Sequence, residues 1–217
     1  MLQVASVVAP PHGDRCKGKC YPVFQGGICR NPIHYRHRWH RDLLLQTALD
    51  PVIDVMERSR MEVPDCLAFE VGRADRRVLV VGIHDAAARP TIESDLDTVL
   101  VTRSTVLNEP ILSAARAVWA TRHHPIAAGD RIRILIALEG GETQRLDDLA
   151  SVVRDPAEGV EAILSMVCSG ELATSFHAGI RPEMKVRRRS SITLGEPTGE
   201  LRSPNYSFGC PQEAAKT

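Results

Sequence analysis

Val78-Leu79-Val80-Val81-Gly82-Ile83 is the stretch on which the reading of the fold turns. A continuous apolar run of this kind suits a strand buried on both faces. Gly72 to Arg77 supplies a turn before it, and Leu67 to Val71 reads as a strand, so the two are expected to form a hairpin. Thr98 to Thr102 (TVLVT) is a third β-branched strand, and Val52 to Met56 is a shorter one. Helical spacing surrounds these strands. Trp39 to Leu49 carries Leu43, Leu44, Leu45, Ala48 and Leu49 and ends at Asp50-Pro51. Pro110 to Thr121 carries Ile111, Leu112, Ala115, Val118 and Trp119. The pattern predicts an α/β fold, a mixed sheet flanked by helices.

The texture changes after Pro125. Asp130 is placed to cap a helix through Ile132, Leu135, Ile136 and Leu138, which Gly140-Gly141 stops. Leu146, Leu149, Ala150 and Val153 mark a second helix. Pro156 starts a third, carrying Val160, Ile163, Leu164 and Val167 and ending at Gly170. Leu172 to Phe176 follows as a short strand. Three short helices, a strand and a turn resemble a winged helix. Its third helix would read DNA, but here that helix shows Glu158 and Glu161, which repel phosphate. A packing or partner-binding role therefore suits it better.

Bulk composition excludes little. The 217 residues are 43% hydrophobic but only 4% aromatic, so the core must be mostly aliphatic. Lys+Arg and Asp+Glu are both 27, which argues against a uniformly basic nucleic-acid protein. The charge is unevenly placed. Residues 1–41 carry seven Lys/Arg against one Asp, residues 42–180 thirteen against twenty-two acidic, and residues 181–217 seven against four. Basic ends either bind phosphate chains or are solvated tails. No leader and no membrane-length apolar run is visible. The six cysteines are therefore expected in a reducing cytoplasm.

One constellation carries chemistry. Metal-dependent nucleases often place an Asp at the start of one strand and Glu-x-Lys on the next, so that carboxylates hold divalent cations beside the phosphate. Pro64-Asp65 precedes the first hairpin strand, and the second ends Gly82-Ile83-His84 where Glu-x-Lys would stand.

Four stretches together resemble the TnsA-type transposon endonucleases, of the PD-(D/E)xK, restriction-endonuclease-like class. His40-Arg41-Asp42-Leu43-Leu44, continuing to Leu49-Asp50-Pro51-Val52, is similar to that family's Glu-Arg-Asp helix and its following Asp-Pro-x-Val. Pro64-Asp65 matches the "PD", Val78 to His84 takes the place of the strand ending Glu-Val-Lys, and Thr98 to Pro110 resembles the later strand. The resemblance spans roughly residues 34–186 and implies a nuclease-like α/β domain at 34–124 and a winged-helix-like module at 125–186. Residues 1–33 are then an irregular basic Cys/His-rich segment, and 187–217 a disordered tail.

The departures define the expected site. His40 stands at the helix Glu, Gly82 at the second carboxylate and His84 at the Lys; only Asp65 survives. One carboxylate is a poor holder of Mg²⁺ or Mn²⁺. Either the site is degenerate, or His40, Asp65 and His84 converge on a softer ion such as Zn or Mn. Glu70, Asp75 and Asp85 lie nearby in sequence. Separately, Cys16-x3-Cys20-x8-Cys29 is followed by His34, a candidate structural zinc set; free cysteines are the alternative. Arg187, Arg188 and Arg189 are candidate DNA-backbone contacts.

Three functions follow. The resemblance implies a catalytically impaired TnsA-like protein of a mobile element, acting in DNA association or in binding transposition partners. The alternatives are an active metal-dependent DNA endonuclease with a remodelled site and a non-enzymatic DNA-binding regulator.

Overall fold

The structure, a computed structural model, describes residues 21–61, 63–73, 76–85 and 90–189. The rest of the expected irregular segment, Asp75 and the expected tail from 190 onward lie outside the described residues. The described chain opens with a two-stranded ribbon, β1 (Val23–Phe24) and β2 (Ile33–His34). Helix α1 (Arg38–Leu49) follows. Strands β3 (Val55–Arg58), β4 (Leu67–Arg73), β5 (Arg76–Ile83) and β6 (Asp97–Thr102) form one sheet in that order. Helices α2 (Arg103–Val106), α3 (Ile111–Ala120) and α4 (Ala128–Ala137) come next. Then come β7 (Gln144–Arg145), α5 (Leu146–Ala150), α6 (Pro156–Cys168), β8 (Leu172–Thr174) and β9 (Lys185–Arg188).

The expected hairpin is β4–β5, antiparallel, with Leu67 opposite Gly82 and Val71 opposite Val78. β3 pairs antiparallel with β4, and β6 pairs parallel with β5, so the four-stranded sheet is mixed. As the unbroken apolar run requires, β5 is buried on both faces. Val78 and Val80 face the main core with Phe69, Val71 and Val101. Leu79, Val81 and Ile83 form a second cluster, covered by Met61, Val63, Ile92 and Leu96 from connecting segments.

Helix α1 is the centre of the main core. Leu43, Leu44 and Leu45 are all buried, although they point to different sides of the helix. A helix buried all round must be packed on more than one side, and α1 contacts α2, α3 and α6 as well as the sheet. It stops where the sequence places the stop. Pro51 holds Asp50 in an extended conformation, and the Asp50 carboxylate accepts the Val52 N–H at 2.9 Å. That turn consumes Val52 and Ile53, so the strand expected from Val52 begins only at Val55.

The C-terminal part packs onto the same core. One buried cluster runs from Phe24 to Val186 and includes α1, α3 and α6. The Cys168 thiol donates to the Val118 carbonyl at 3.2 Å, and Ser165 Oγ to the His124 carbonyl at 3.3 Å. Gly27 lets the N-terminal segment touch the end of α6; a Cβ there would lie 2.1 Å from the Ser169 carbonyl oxygen. Asp130 does not cap α4. It sits within the first turn, buried, where its carboxylate accepts the Arg154 N–H at 2.9 Å and pairs with Arg133. The second helix ends at Ala150, short of Val153.

The basic run at 187 is corrected from tail to strand. β9 lies between β7 and β8 in a three-stranded antiparallel sheet, with Val186 fully buried. Alternation of Val186 with charged neighbours concealed a strand inside what looked like a solvated stretch. Among the described residues no helix is long and apolar enough to cross a membrane.

One polar contact fixes α1 to α3. Arg116 donates Nε to Asp42 Oδ1 at 3.0 Å and Nη2 to Oδ2 at 2.6 Å, a bidentate fork. The Asp42 side chain is 3% exposed and that of Arg116 41%. The asymmetry makes a prediction. Arg116→Ala strands a buried carboxylate and should cost about 3 kcal/mol in urea unfolding, with Asp42→Leu/Arg116→Leu regaining most of it. A cost near zero for Arg116→Ala would show that Asp42 does not depend on this partner.

Candidate functional site

The start of α1 meets both the turn before β4, where Arg36 pairs with Asp65, and β5, where Trp39 and Leu43 approach Gly82. Arg36, just before α1, forms an ion pair with Asp65 at 3.5 Å. Asp65 sits in the turn with φ of +57° and a side chain 97% exposed. Asp tolerates this left-handed conformation better than most residues. Its charged partner is thus a cation, and among the described residues no second carboxylate groups with it to hold a metal ion.

Gly82 explains why. It lies on the α1 side of β5, opposite Leu67 and beside Val101. A Cβ added there would meet Leu43 Cδ2 at 2.9 Å and the Trp39 ring at 3.2 Å. The space that a side chain at 82 would need is filled by two apolar side chains of α1. Glycine at 82 is the residue that permits this approach.

His40 is buried at 1% exposure, and among the described residues neither ring nitrogen has a hydrogen-bond partner. Its ring packs edge-on against Trp39 at 4.2 Å and His37 at 4.9 Å between centroids. Burial, with smaller contributions from the charges of His37 and Arg36, lowers its pKa to about 4. The imidazole is therefore neutral at pH 7. His84 lies past the end of β5, exposed, with Nε2 3.5 Å from Arg103 Nη1. Asp85 is engaged elsewhere. Its Oδ1 accepts the Ser104 N–H at 2.9 Å and Oγ–H at 2.6 Å, and these bonds hold the carboxyl below its usual range. Glu70 pairs with Arg77 at 3.5 Å, on the sheet face away from α1. Among the described residues no three His, Cys, Asp or Glu side chains group so as to hold a metal ion. His40, Asp65 and His84 thus do not converge on one point.

The other candidate sites are placed differently. Cys16 and Cys20 lie outside the described residues. Cys29 is buried, bridges to Met56, and has its thiol pKa raised by burial, whereas His34 is exposed. Of the basic run, Arg187 donates to the Pro51 carbonyl at 3.0 Å, and Arg189 donates to the carbonyls of Ile53 and Asp50. Two of the three expected phosphate contacts therefore hold the α1–β3 turn instead; Arg188 remains exposed.

Sequence reasoning missed the cleft beside the start of α1. It encloses about 840 Å³ and is lined by Tyr21, His34, Tyr35, Arg36, His40, Arg58, Ser59 and Pro64, among others. Tyr21 carries Arg36 over its ring at 5.2 Å. The available signal was Arg36, one turn before His40 in the direction of the helix axis.

The fold and this region define a mixed α/β protein with a basic, aromatic-lined cleft. No protein-family model, no curated protein and no solved structure matches the chain.

Two predictions follow from this region. Gly82→Glu forces a charged side chain against Trp39 and Leu43 and should destabilise by about 3 kcal/mol without creating a metal site; thermal unfolding with and without Mn²⁺ checks both. For His40 the folded pKa lies below the unfolded value, so the unfolded chain binds the proton more readily. Its contribution is complete above pH 6.5 and is lost as pH falls toward 4. Wild-type stability should drop by on the order of 3 kcal/mol across that window. His40→Phe should flatten that part of the pH profile, and an unchanged profile would contradict the assignment.

Proposed function

We propose that this chain is a TnsA-like protein of a mobile element that has kept the scaffold of a nuclease and lost its cutting chemistry. It acts in DNA association or in the binding of transposition partners, in a cytoplasmic setting. The arrangement of α1, three antiparallel strands and a parallel fourth strand supports the restriction-endonuclease-like part of this reading. The order α4, β7, α5, α6, β8, β9, with β9 central in its sheet, supports the winged-helix-like part.

The observation that carries the reading is the contact of Trp39 and Leu43 with Gly82. Divalent-metal hydrolysis of a phosphodiester needs a cluster of oxygen ligands. Here one ligand position is filled by apolar groups, a second is a buried neutral imidazole, and Asp65 is paired with Arg36. These residues do not fit Mg²⁺ or Mn²⁺, and no hydrolytic step runs through them. The regulator alternative keeps the fold and binds DNA through its basic ends, of which Arg187 and Arg189 are engaged by backbone carbonyls; nor is α6 exposed as a groove reader. That helix is buried from Ala162 to Cys168, which favours a packing role instead.

Supercoiled plasmid incubated with the protein and Mg²⁺ or Mn²⁺ should stay intact, and Asp65→Ala should behave identically. Metal-dependent nicking that Asp65→Ala abolishes would restore the active-endonuclease reading. A gel shift that weakens steeply with salt would support DNA association.

A further inference from the structure

The cleft beside α1 has features that a merely decayed hydrolytic site does not require. Its volume of about 840 Å³ is that of a small-ligand site. Its walls combine aromatic rings from Tyr21 and Tyr35, guanidinium groups from Arg36 and Arg58, and the imidazole of His40. Asp65 is not among its lining residues, but its carboxylate pairs with the Arg36 of the wall at 3.5 Å.

His40 gives the independent pointer. A buried ring with two unsatisfied nitrogens is costly, and native folds seldom leave one so. Among the described residues nothing partners it, and the ring borders the cleft. The start of α1 points the same way. His37 gives no side-chain cap, and no acidic residue lies in the first turn. The helix dipole at that end favours an anion. Arg36 is already held over the Tyr21 ring, so part of the wall is preorganised.

We propose that this cleft binds a nucleoside phosphate, with the phosphate held by Arg36 and the start of α1, and the base set against the tyrosine rings beside His40. The inference rests on the nucleic-acid association proposed above and deepens it. The ligand is either a free nucleotide or the nucleotide at the end of a DNA strand; the recognising chemistry is the same.

Calorimetric titration of the full chain tests this. The probes are the four deoxynucleoside monophosphates, the matching nucleosides, inorganic phosphate, and a short single-stranded oligonucleotide with and without a 5′ phosphate. At least one monophosphate, or the 5′-phosphorylated oligonucleotide, should bind about tenfold more tightly than nucleoside and inorganic phosphate. The tighter of the two names the source. Arg36→Gln, at an exposed side chain, and His40→Asn should each weaken that binding by about fivefold or more. No binding of either probe at millimolar concentration overturns the proposal. So does equal binding of nucleoside or of inorganic phosphate, or unchanged affinity in a folded Arg36→Gln protein. Plasmid nicking is scored separately, so cutting activity would sink the non-cutting reading and leave this one standing.

Discussion

The rest of the structure depends on the burial of α1 on all sides. Its leucines are shared between the sheet and the helical layer, so neither layer closes without it. That constraint leaves little room for polar groups. Asp42 is accommodated because Arg116 meets it with a bidentate fork and carries the compensating charge to the surface. His40 is accommodated in another way, by giving up its proton. Trp39 and Leu43 occupy what remains, and they close on β5 at the one residue that has no side chain.

Chemistry and packing therefore compete for the same few ångströms. A hydrolytic corner needs carboxylates facing one another across the helix–sheet interface, which is costly to desolvate without a cation. Filling that interface with a tryptophan and a leucine converts the same area into apolar burial. Asp65 escapes the competition because it stands on a turn in solvent, where its charge is matched by Arg36 at little cost. An aspartate at position 65 is thus by itself no sign of a hydrolytic reaction.

Much of the fold was legible because burial leaves a period in the sequence. The β5 run, the β4 alternation and the spacing in α1, α3 and α6 each report which faces are covered. Short elements report less. β9 has a single inward residue, Val186, among three basic ones, so no period is visible and its arginines read as solvated. The start of β3 was misplaced because Asp50-Pro51 was read as a stop, whereas it is a stop followed by a two-residue turn. Asp130 resembled a cap because nothing in the local sequence shows that Arg154, far along the chain, supplies its N–H.

The site was legible in its positions and not in its surroundings. Spacing placed Asp65 and Gly82 near the start of α1, since hairpin register is a local property. It did not show that Gly82 faces a tryptophan, because that depends on how close the helix approaches the sheet. Nor did it show that Arg187 and Arg189 end on backbone carbonyls of the α1–β3 turn. Those two arginines hold the C-terminal strand against the end of α1, while Arg36 and Arg58 border the cleft near its start. Positive charge read from the sequence as one diffuse property of the chain ends thus divides into two tasks. One part satisfies carbonyls left open by a helix end and is not available to a ligand. The other lines an open cleft beside a buried imidazole, where Arg36 is shared with the Asp65 carboxylate.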